Sequence, residues 1–405
     1  FLGEKRMQYR TSKQEFLFYL IFAVYILACV LSMSVLAENG GVVIKGLKYL
    51  CYLGCVIKIL MDGFSEKKLW CFIIIAFLTV MTTVSTGTTM YFLFFLIFMA
   101  AKNVNLSRLM KIACWVQGIS VFAIIGLSQL GIIEDHIFDP NERIRHGLGF
   151  SWTTLGPSLV FFFMMTYLYL RREKAHLVEY IILELIAYWL YVQTNTRMCF
   201  MITTVFLIWT YLMKYYLQNR GEKIRRNRIL IAFPTIICLL SIFIHVGYNA
   251  DSSLWTKLND ILSGRLQLGQ SAFQKYGVAL FGQKITWVGY GIGAASGEYN
   301  YVDSAYMQTL IQYGVIALIV IIALYTFIMY MSVRLKDYYL QAVLVFALLI
   351  SVTEPRLLDF NFNVFPILAV AFFTHQERDL LYQKPVASGM QVRFQMPRIR
   401  VKNRG

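Results

Sequence analysis

The stretch FLFYLIFAVYILACVLSMSVLA, residues 16–37, carries no charged side chain from end to end. A helix rises about 1.5 Å per residue, so a run of roughly 20 apolar residues covers the hydrocarbon core of a bilayer. Similar runs recur near 42–61, 69–84, 88–101, 109–131, 153–170, 177–193, 198–217, 229–246, 305–333, 338–353 and 363–374. A transmembrane barrel would show segments of about ten residues with strict alternation, and these runs do not alternate. The expected class is therefore an all-α polytopic integral membrane protein with about twelve transmembrane helices. Composition agrees: 58% of residues are hydrophobic and only 15% charged, against about 25% charged in a soluble domain.

The formal net charge of +16 raises the question of nucleic acid. Its distribution answers it. With the N-terminus inside, most of the Lys and Arg fall in inner segments, as in RREK at 171–174 and NRGEKIRRNR at 219–228. That asymmetry is the positive-inside pattern, and it predicts both termini in the cytoplasm and no nucleic-acid partner. Contact of these clusters with phospholipid headgroups follows from the same charge. The first run is expected to stay as a helix and not to be cleaved. Residues 1–405 read as one membrane domain, and residues 376–405 as a basic cytoplasmic tail.

The seven cysteines all lie within or beside apolar runs, which predicts free, buried thiols and no disulfide. No Cys/His spacing suits a metal, so neither a metal nor a cofactor is expected.

Two polar segments stand out on the outer side. One is EDHIFDPNERIRHGLGFSW, residues 134–152. The other, residues 247–304, is far longer than an ordinary connection. Within it Leu254, Leu258, Ile261, Leu262, Leu266 and Phe273 fall near helical spacing, which predicts short amphipathic helices lying at the membrane surface. The glycines of GYGIGAASGEYNYVD predict tight turns and a close backbone approach to another element.

The candidate site residues come from these outer positions. Arg197, in TNTR, opens an apolar run; an arginine there either snorkels to headgroups or binds a ligand. Arg265 follows SG and opens a predicted helix, where solvent or an anion would satisfy it. Lys45 and Lys48 are three apart and share a helix face; they either anchor their helix or join a cationic pocket. Such a pocket suits a diphosphate, because an arginine fork grips phosphate oxygens in pairs. Asp303 has two readings, a helix N-cap or a general base, with Ser304 as the alternative cap. Glu354, Arg356 and Asp359, in TEPRLLDFNFN, lie at the outer mouth of the following span. His136, Arg143, Arg145 and His146 occupy the first outer segment. Trp255, Trp287, Tyr299 and Tyr301 offer rings to a sugar. Glu184 and Lys58, inside spans, are expected to find internal partners.

This ordered set resembles the superfamily of bacterial O-antigen ligases and Wzy-type polysaccharide polymerases. The likeness rests on TNTR at the outer end of a mid-chain span, SGR in a large outer loop, the GYGIG turn, and DSAYMQTLIQYG closing the loop. It covers residues 150 to 370 and extends to the first half through topology. The wording SGRLQLGQSAFQKYG is most similar to capsular polysaccharide repeat-unit polymerases of Gram-positive bacteria. Ligases of the group usually carry His at the place of Asp303, and this chain has Asp-Ser.

The resemblance implies a metal-independent glycosyltransferase at the outer face of the plasma membrane. Its donor and acceptor would be undecaprenyl-diphosphate-linked oligosaccharides, joined by bulk transfer with inversion. Arg197 and Arg265 would hold the leaving diphosphate, and Asp303 would activate the acceptor hydroxyl. Lys45, Lys48, Arg143, Arg145, Glu354 and Arg356 would contribute to substrate binding, and capsule-assembly proteins would be neighbours. The alternatives are a flippase of lipid-linked oligosaccharides, and ligase-like transfer to a different acceptor.

Overall fold

The computed structural model describes residues 12–63, 66–138, 144–220, 227–291 and 296–370. Arg143 and the tail 376–405 lie outside the described residues. Apolar runs close their backbone hydrogen bonds internally because nothing in hydrocarbon can replace water. The result is a mostly helical chain: α1 Lys13–Leu31, α2 Leu36–Asp62, α3 Glu66–Thr86, α4 Met90–Ala100, α5 Leu106–Gln129, α6 Leu155–Arg171, α7 Leu177–Thr194, α8 Arg197–Arg220 and α9 Phe233–Val246. Two short helices follow, α10 Ser253–Ile261 and α11 Arg265–Tyr276; then α12 Ala305–Gln308, α13 Gly314–Arg334 and α14 Tyr338–Ile350. A small hairpin, β1 Ile137–Phe138 with β2 Arg145–His146, pairs antiparallel with Ile137 opposite His146.

Among the described residues six segments are long and apolar enough to cross a membrane: Lys13–Leu31, Leu106–Gln129, Leu177–Thr194, Arg197–Asn219, Arg228–Val246 and Ala305–Arg334. Burial on α7 shows why this requires lipid. Tyr180, Leu183, Ala187, Leu190 and Thr194 face the protein, yet the opposite face exposes Ile181, Leu185, Tyr188 and Val192. A helix that is apolar all round needs an apolar surrounding on both sides. The chain is a multi-pass α-helical membrane protein.

In the packing, α1 lies on α2 and α5, and α5 lies on α6. Helix α6 touches α7, α8 and α14, while α13 runs beside α9 and α14. The first residues of α6, the last of α7 and the last of α14 consequently gather at one end of the bundle, and their other ends gather opposite.

Two elements differ from the sequence expectation. The run at 305–333 is not one continuous helix. It breaks at a π turn over Thr309–Tyr313 and restarts at Gly314, whose φ is 91°. The segment around Gly282 crosses at this break. Gln283 N–H donates to Gln312 O at 2.8 Å, and Val315 N–H donates to Ala279 O at 3.1 Å. A Cβ on Gly314 would sit 2.4 Å from Gly282 N, so the crossing requires glycine there.

The second difference concerns 363–374, where a span was expected. Within the described residues only a 3₁₀ turn, Phe365–Val370, forms. The preceding residues 354–364 run as irregular chain, mostly buried. Such backbone is tolerated at depth only where protein satisfies it. Gln117 Nε2 donates to Asn361 O at 2.9 Å and to Phe362 O at 3.2 Å, Tyr325 Oη donates to Leu357 O at 2.6 Å, and Asn363 Nδ2 donates to Tyr325 Oη at 2.7 Å. This pinned segment carries Glu354, Arg356 and Asp359.

The segment 247–304 folds back onto the bundle. Helix α11 lies against α9. Ala272, Ile285, Val302, Met307 and Ile311 form a small core of their own, with Ile242 and Val246 of α9 packed against it. Six cysteines among the described residues are free and buried.

Candidate functional site

A cavity of about 650 Å³ opens at the end of the bundle where α6 and α8 begin and α14 ends. Arg145, Arg197, Arg265 and Arg356 line it together with Asp303, Glu354, Tyr299 and Tyr301. Among the described residues four arginines thus face two carboxylates, an excess of positive charge.

Each charge is held by a local device. Arg265 is the first residue of α11. Ser263 and Gly264 both take the left-handed conformation, with φ of 57° and 82°, and turn the chain sharply between α10 and α11. Gly264 has no side chain to cap the new helix, so Asn259 does it from the preceding one. Its Oδ1 accepts from Leu266 N at 3.1 Å and from Gln267 N at 3.2 Å. The turn and its remote cap fix where the Arg265 guanidinium points.

Arg265 Nε donates to Asp303 Oδ2 at 3.0 Å. On its far side Nη2 lies 3.9 Å from Glu354 Oε1. Burial works against the Arg265 charge, but Asp303 and Glu354 beside it carry its pKa above the usual guanidinium value. Asp303 also lies above its ordinary value: burial raises its pKa, and Arg265 and Arg356 restrain the rise.

The two readings of Asp303 separate here. Ser304, not Asp303, caps α12, its hydroxyl accepting from Met307 N. The Asp303 carboxylate is left for Arg265.

Arg197 opens α8. The preceding turn depends on Asn195, which ends α7 in the left-handed conformation with φ of 51°, and on Thr194 and Thr196, whose hydroxyls meet at 2.8 Å. Arg197 is exposed to the cavity, and no carboxylate pairs with it among the described residues. Arg145 Nε donates to Thr194 O at 2.8 Å, so the β-hairpin is fastened to the same turn.

Glu354 and Arg356 flank Pro355. Arg356 N–H donates to Glu354 O at 2.9 Å, a three-residue turn for which the fixed φ of proline is suited. Arg356 bonds Asp359 at 3.2 Å, and its guanidinium lies over Phe362. The Glu354 carboxyl is pushed up to about 7 by burial first and by Asp303 in addition, against the pull of Arg265 and Arg356.

An aromatic wall completes the cavity. Trp152 and Tyr290 stack at 5.5 Å between centroids, and Tyr290 stacks on Tyr299 at 4.5 Å. The turn at Gly291 makes this possible. Its φ is 111°, and a Cβ there would lie 2.7 Å from Ser151 O, so the glycine-rich segment meets the start of α6 at close range. The sequence reading missed Trp152 and Tyr290, because an isolated aromatic in an outer loop carries no signal of what it faces. Of the four rings it named, Tyr299 and Tyr301 line the cavity. Trp287 is turned away, its Nε1 donating to Gln312 Oε1 at 2.7 Å, and Trp255 packs beside Gly247.

Lys45 and Lys48 do not line the cavity. Lys45 is exposed on α2, and Lys48 Nζ donates to Ser32 Oγ at 2.8 Å. His146 bonds Asp135 at 2.6 Å, and His136 stands beside Glu38 and Glu134. The charges inside spans have the expected internal partners: Lys58 pairs with Asp62, and Thr204 Oγ1 donates to Glu184 Oε1 at 2.7 Å. No cluster of three or more His, Cys, Asp or Glu suited to a metal occurs among the described residues.

No family model, no curated protein and no solved structure matches the chain.

Proposed function

We propose that the chain is a polysaccharide polymerase of the plasma membrane, joining lipid-diphosphate-linked oligosaccharide repeat units at the outer face. The observation that carries this reading is the convergence of Arg197, Arg265 and Asp303, far apart in sequence, on one cationic cavity at one end of a membrane bundle. In this reading the remaining apolar runs also cross, giving about twelve spans, both termini are cytoplasmic, and segment 247–304 is extracytoplasmic.

The chemistry follows from the charges. Glycosyl transfer from a lipid diphosphate builds negative charge on the departing phosphate oxygen. Preorganised cations aimed at that oxygen lower the barrier, and they do so most where water is scarce. Arg197, which no carboxylate among the described residues pairs with, and the Nη edge of Arg265 supply them. An attacking sugar hydroxyl must lose its proton, and among the described residues Asp303 and Glu354 are the carboxylates that line the cavity. Trp152, Tyr290 and Tyr299 offer apolar rings to the faces of sugars. A second cavity of about 350 Å³, lined by apolar side chains of α3, α4 and α13 such as Leu78, Phe95 and Ile321, suits the hydrocarbon chain of the donor.

A flippase is the rival reading. It would carry its polar groups through the middle of the membrane, whereas these charges gather at one end. Purified protein supplied with a defined lipid-diphosphate repeat unit should yield a ladder of products differing by one repeat. Transbilayer movement of the lipid without any ladder would favour the flippase.

A further inference from the structure

We propose that Glu354, and not Asp303, takes the proton of the attacking hydroxyl, and that Asp303 is a positioning residue that holds Arg265. This rests on the polymerase reading above.

The geometry distinguishes the two carboxylates. Asp303 Oδ2 is committed: it accepts from Arg265 Nε at 3.0 Å. Burial lifts the Asp303 pKa, but a proton taken on Oδ2 would have to displace the Arg265 Nε–H bond and break the ion pair. The service of Asp303 is geometric. By occupying Nε it orients the guanidinium and leaves the Nη groups to a phosphate.

Glu354 stands across the same guanidinium. Its Oε1 is 3.9 Å from Arg265 Nη2, beyond hydrogen-bond distance, so Arg265 attracts it without occupying it. Its side chain is only 10% exposed, and that portion faces the cavity. The turn at Pro355 and the buried, hydrogen-bonded segment behind it hold the position.

The groups facing Glu354 are Arg265 of α11, Asp303 before α12, Arg356 on its own segment, Ser158 of α6 and Cys199 of α8. Burial and Asp303 raise its pKa, the two arginines and the Ser158 hydroxyl restrain the rise, and it settles at about 7. A base poised near the working pH combines availability with proton affinity.

The step balances as follows. The acceptor hydroxyl oxygen forms a bond to the anomeric carbon of the donor, and its O–H bond breaks with the proton passing to a Glu354 carboxylate oxygen. The bond from the anomeric carbon to the diphosphate oxygen breaks, and its electron pair leaves with the lipid diphosphate, facing Arg197 and Arg265. Glu354 then returns the proton to water.

The test is a pH–rate profile of ladder formation on a defined lipid-diphosphate repeat unit, for full-length wild type, Glu354→Gln, Glu354→Asp and Asp303→Asn. Wild type should rise through a midpoint of about 7. Glu354→Gln should be slower by about 10²–10⁴-fold, the usual worth of a general base, with the midpoint gone. It should keep the Michaelis constant for the donor. Asp303→Asn should keep the midpoint and raise that Michaelis constant. Should Glu354→Gln fail to purify as a monodisperse species, Glu354→Asp decides: slow laddering with the midpoint retained supports the assignment, and a wild-type rate overturns it. Wild-type laddering by Glu354→Gln, or loss of the midpoint in Asp303→Asn alone, overturns it while leaving the polymerase reading standing. A wild type that forms no ladder takes down the polymerase reading and this assignment with it.

Discussion

Helices α6, α7 and α14 carry arginine–carboxylate clusters at both of their ends, and the two clusters are built differently. At the end away from the cavity the charges are closed. Arg171 forks onto Glu179 at 2.9 and 2.6 Å, and Arg172 reaches Asp337 at 2.6 Å while lying over the Tyr169 ring. Glu179 and Asp337 also serve the first turns of α7 and α14, Asp337 Oδ1 accepting from Leu340 N at 3.0 Å. Each arginine there has its own acid. At the cavity end Arg265 Nε is bonded to Asp303 with Glu354 3.9 Å from Nη2, and no carboxylate pairs with Arg197 among the described residues. Both ends order helices, but only the cavity end leaves charge over for a visitor. Ion pairs that satisfy one another hold a fold together, whereas unsatisfied charge facing a cavity is a binding site in waiting.

Substitutions at the two ends should therefore separate rate from stability. Among the arginine and capping substitutions the largest effect is expected at Arg197. Arg197→Ala removes a cation that no carboxylate among the described residues balances, so thermal stability should hold while ladder formation drops by about 10²–10³-fold, the usual loss for one preorganised donor. Arg197→Lys should recover little, because a point charge lacks the fork. A fall in melting temperature that accounts for the lost activity would place Arg197 among the structural charges.

Asp337→Ala should behave in the opposite way. It uncaps α14 and leaves Arg172 unpaired, costing about 1–2 kcal/mol for the cap alone, with the ladder rate per folded molecule unchanged. A selective loss of activity would break the distinction between the two ends.

Asn259→Ala tests the remote cap. Removing Oδ1 from Leu266 N and Gln267 N should cost about 1 kcal/mol and loosen Arg265. The Michaelis constant for the donor should rise a few-fold, and a wild-type constant would show that Arg265 is placed without the cap.

The smallest effect concerns pH. Folded Glu354 holds its proton up to about pH 7, whereas an unfolded glutamate releases it near its ordinary value of 4.5. Between those values the folded state binds more protons, so the Glu354 contribution makes stability fall as pH rises through that window. Glu354→Gln should flatten the decline in denaturant titrations at pH 5 and pH 7. An unchanged slope would mean that Glu354 ionises as it does in the unfolded chain.

How much of this was legible follows from the range of the interactions. Helices α1, α5, α7, α8 and α9 could be read directly, since length and apolar composition are local properties. Arg197 could be read as a charge opening an apolar run, and Arg265 and Asp303 as charges in a long polar segment, each beside a predicted helix start. Segment 354–370 could not. A span was expected only over 363–374, but the irregular backbone from 354 on survives because Gln117 and Tyr325 serve its carbonyls, and no periodicity reveals a partner so far away in the chain. The break before Gly314 was hidden for the same reason, because the glycine answers to the backbone of Gly282 and not to its neighbours. Lys45 and Lys48 show the converse: a shared helix face is legible, but which way the face turns is not.

The central claim is that the open end of the bundle, and not the closed one, is where a lipid diphosphate reacts. The direct measurement is ladder formation from a fluorescent lipid-diphosphate repeat unit by wild type, Asp337→Ala and Arg197→Ala, each reconstituted in the same liposomes and normalised to folded protein. The account predicts matching ladders from wild type and Asp337→Ala and almost none from Arg197→Ala. Equal ladders from wild type and Arg197→Ala, or no ladder from the wild type, would contradict it.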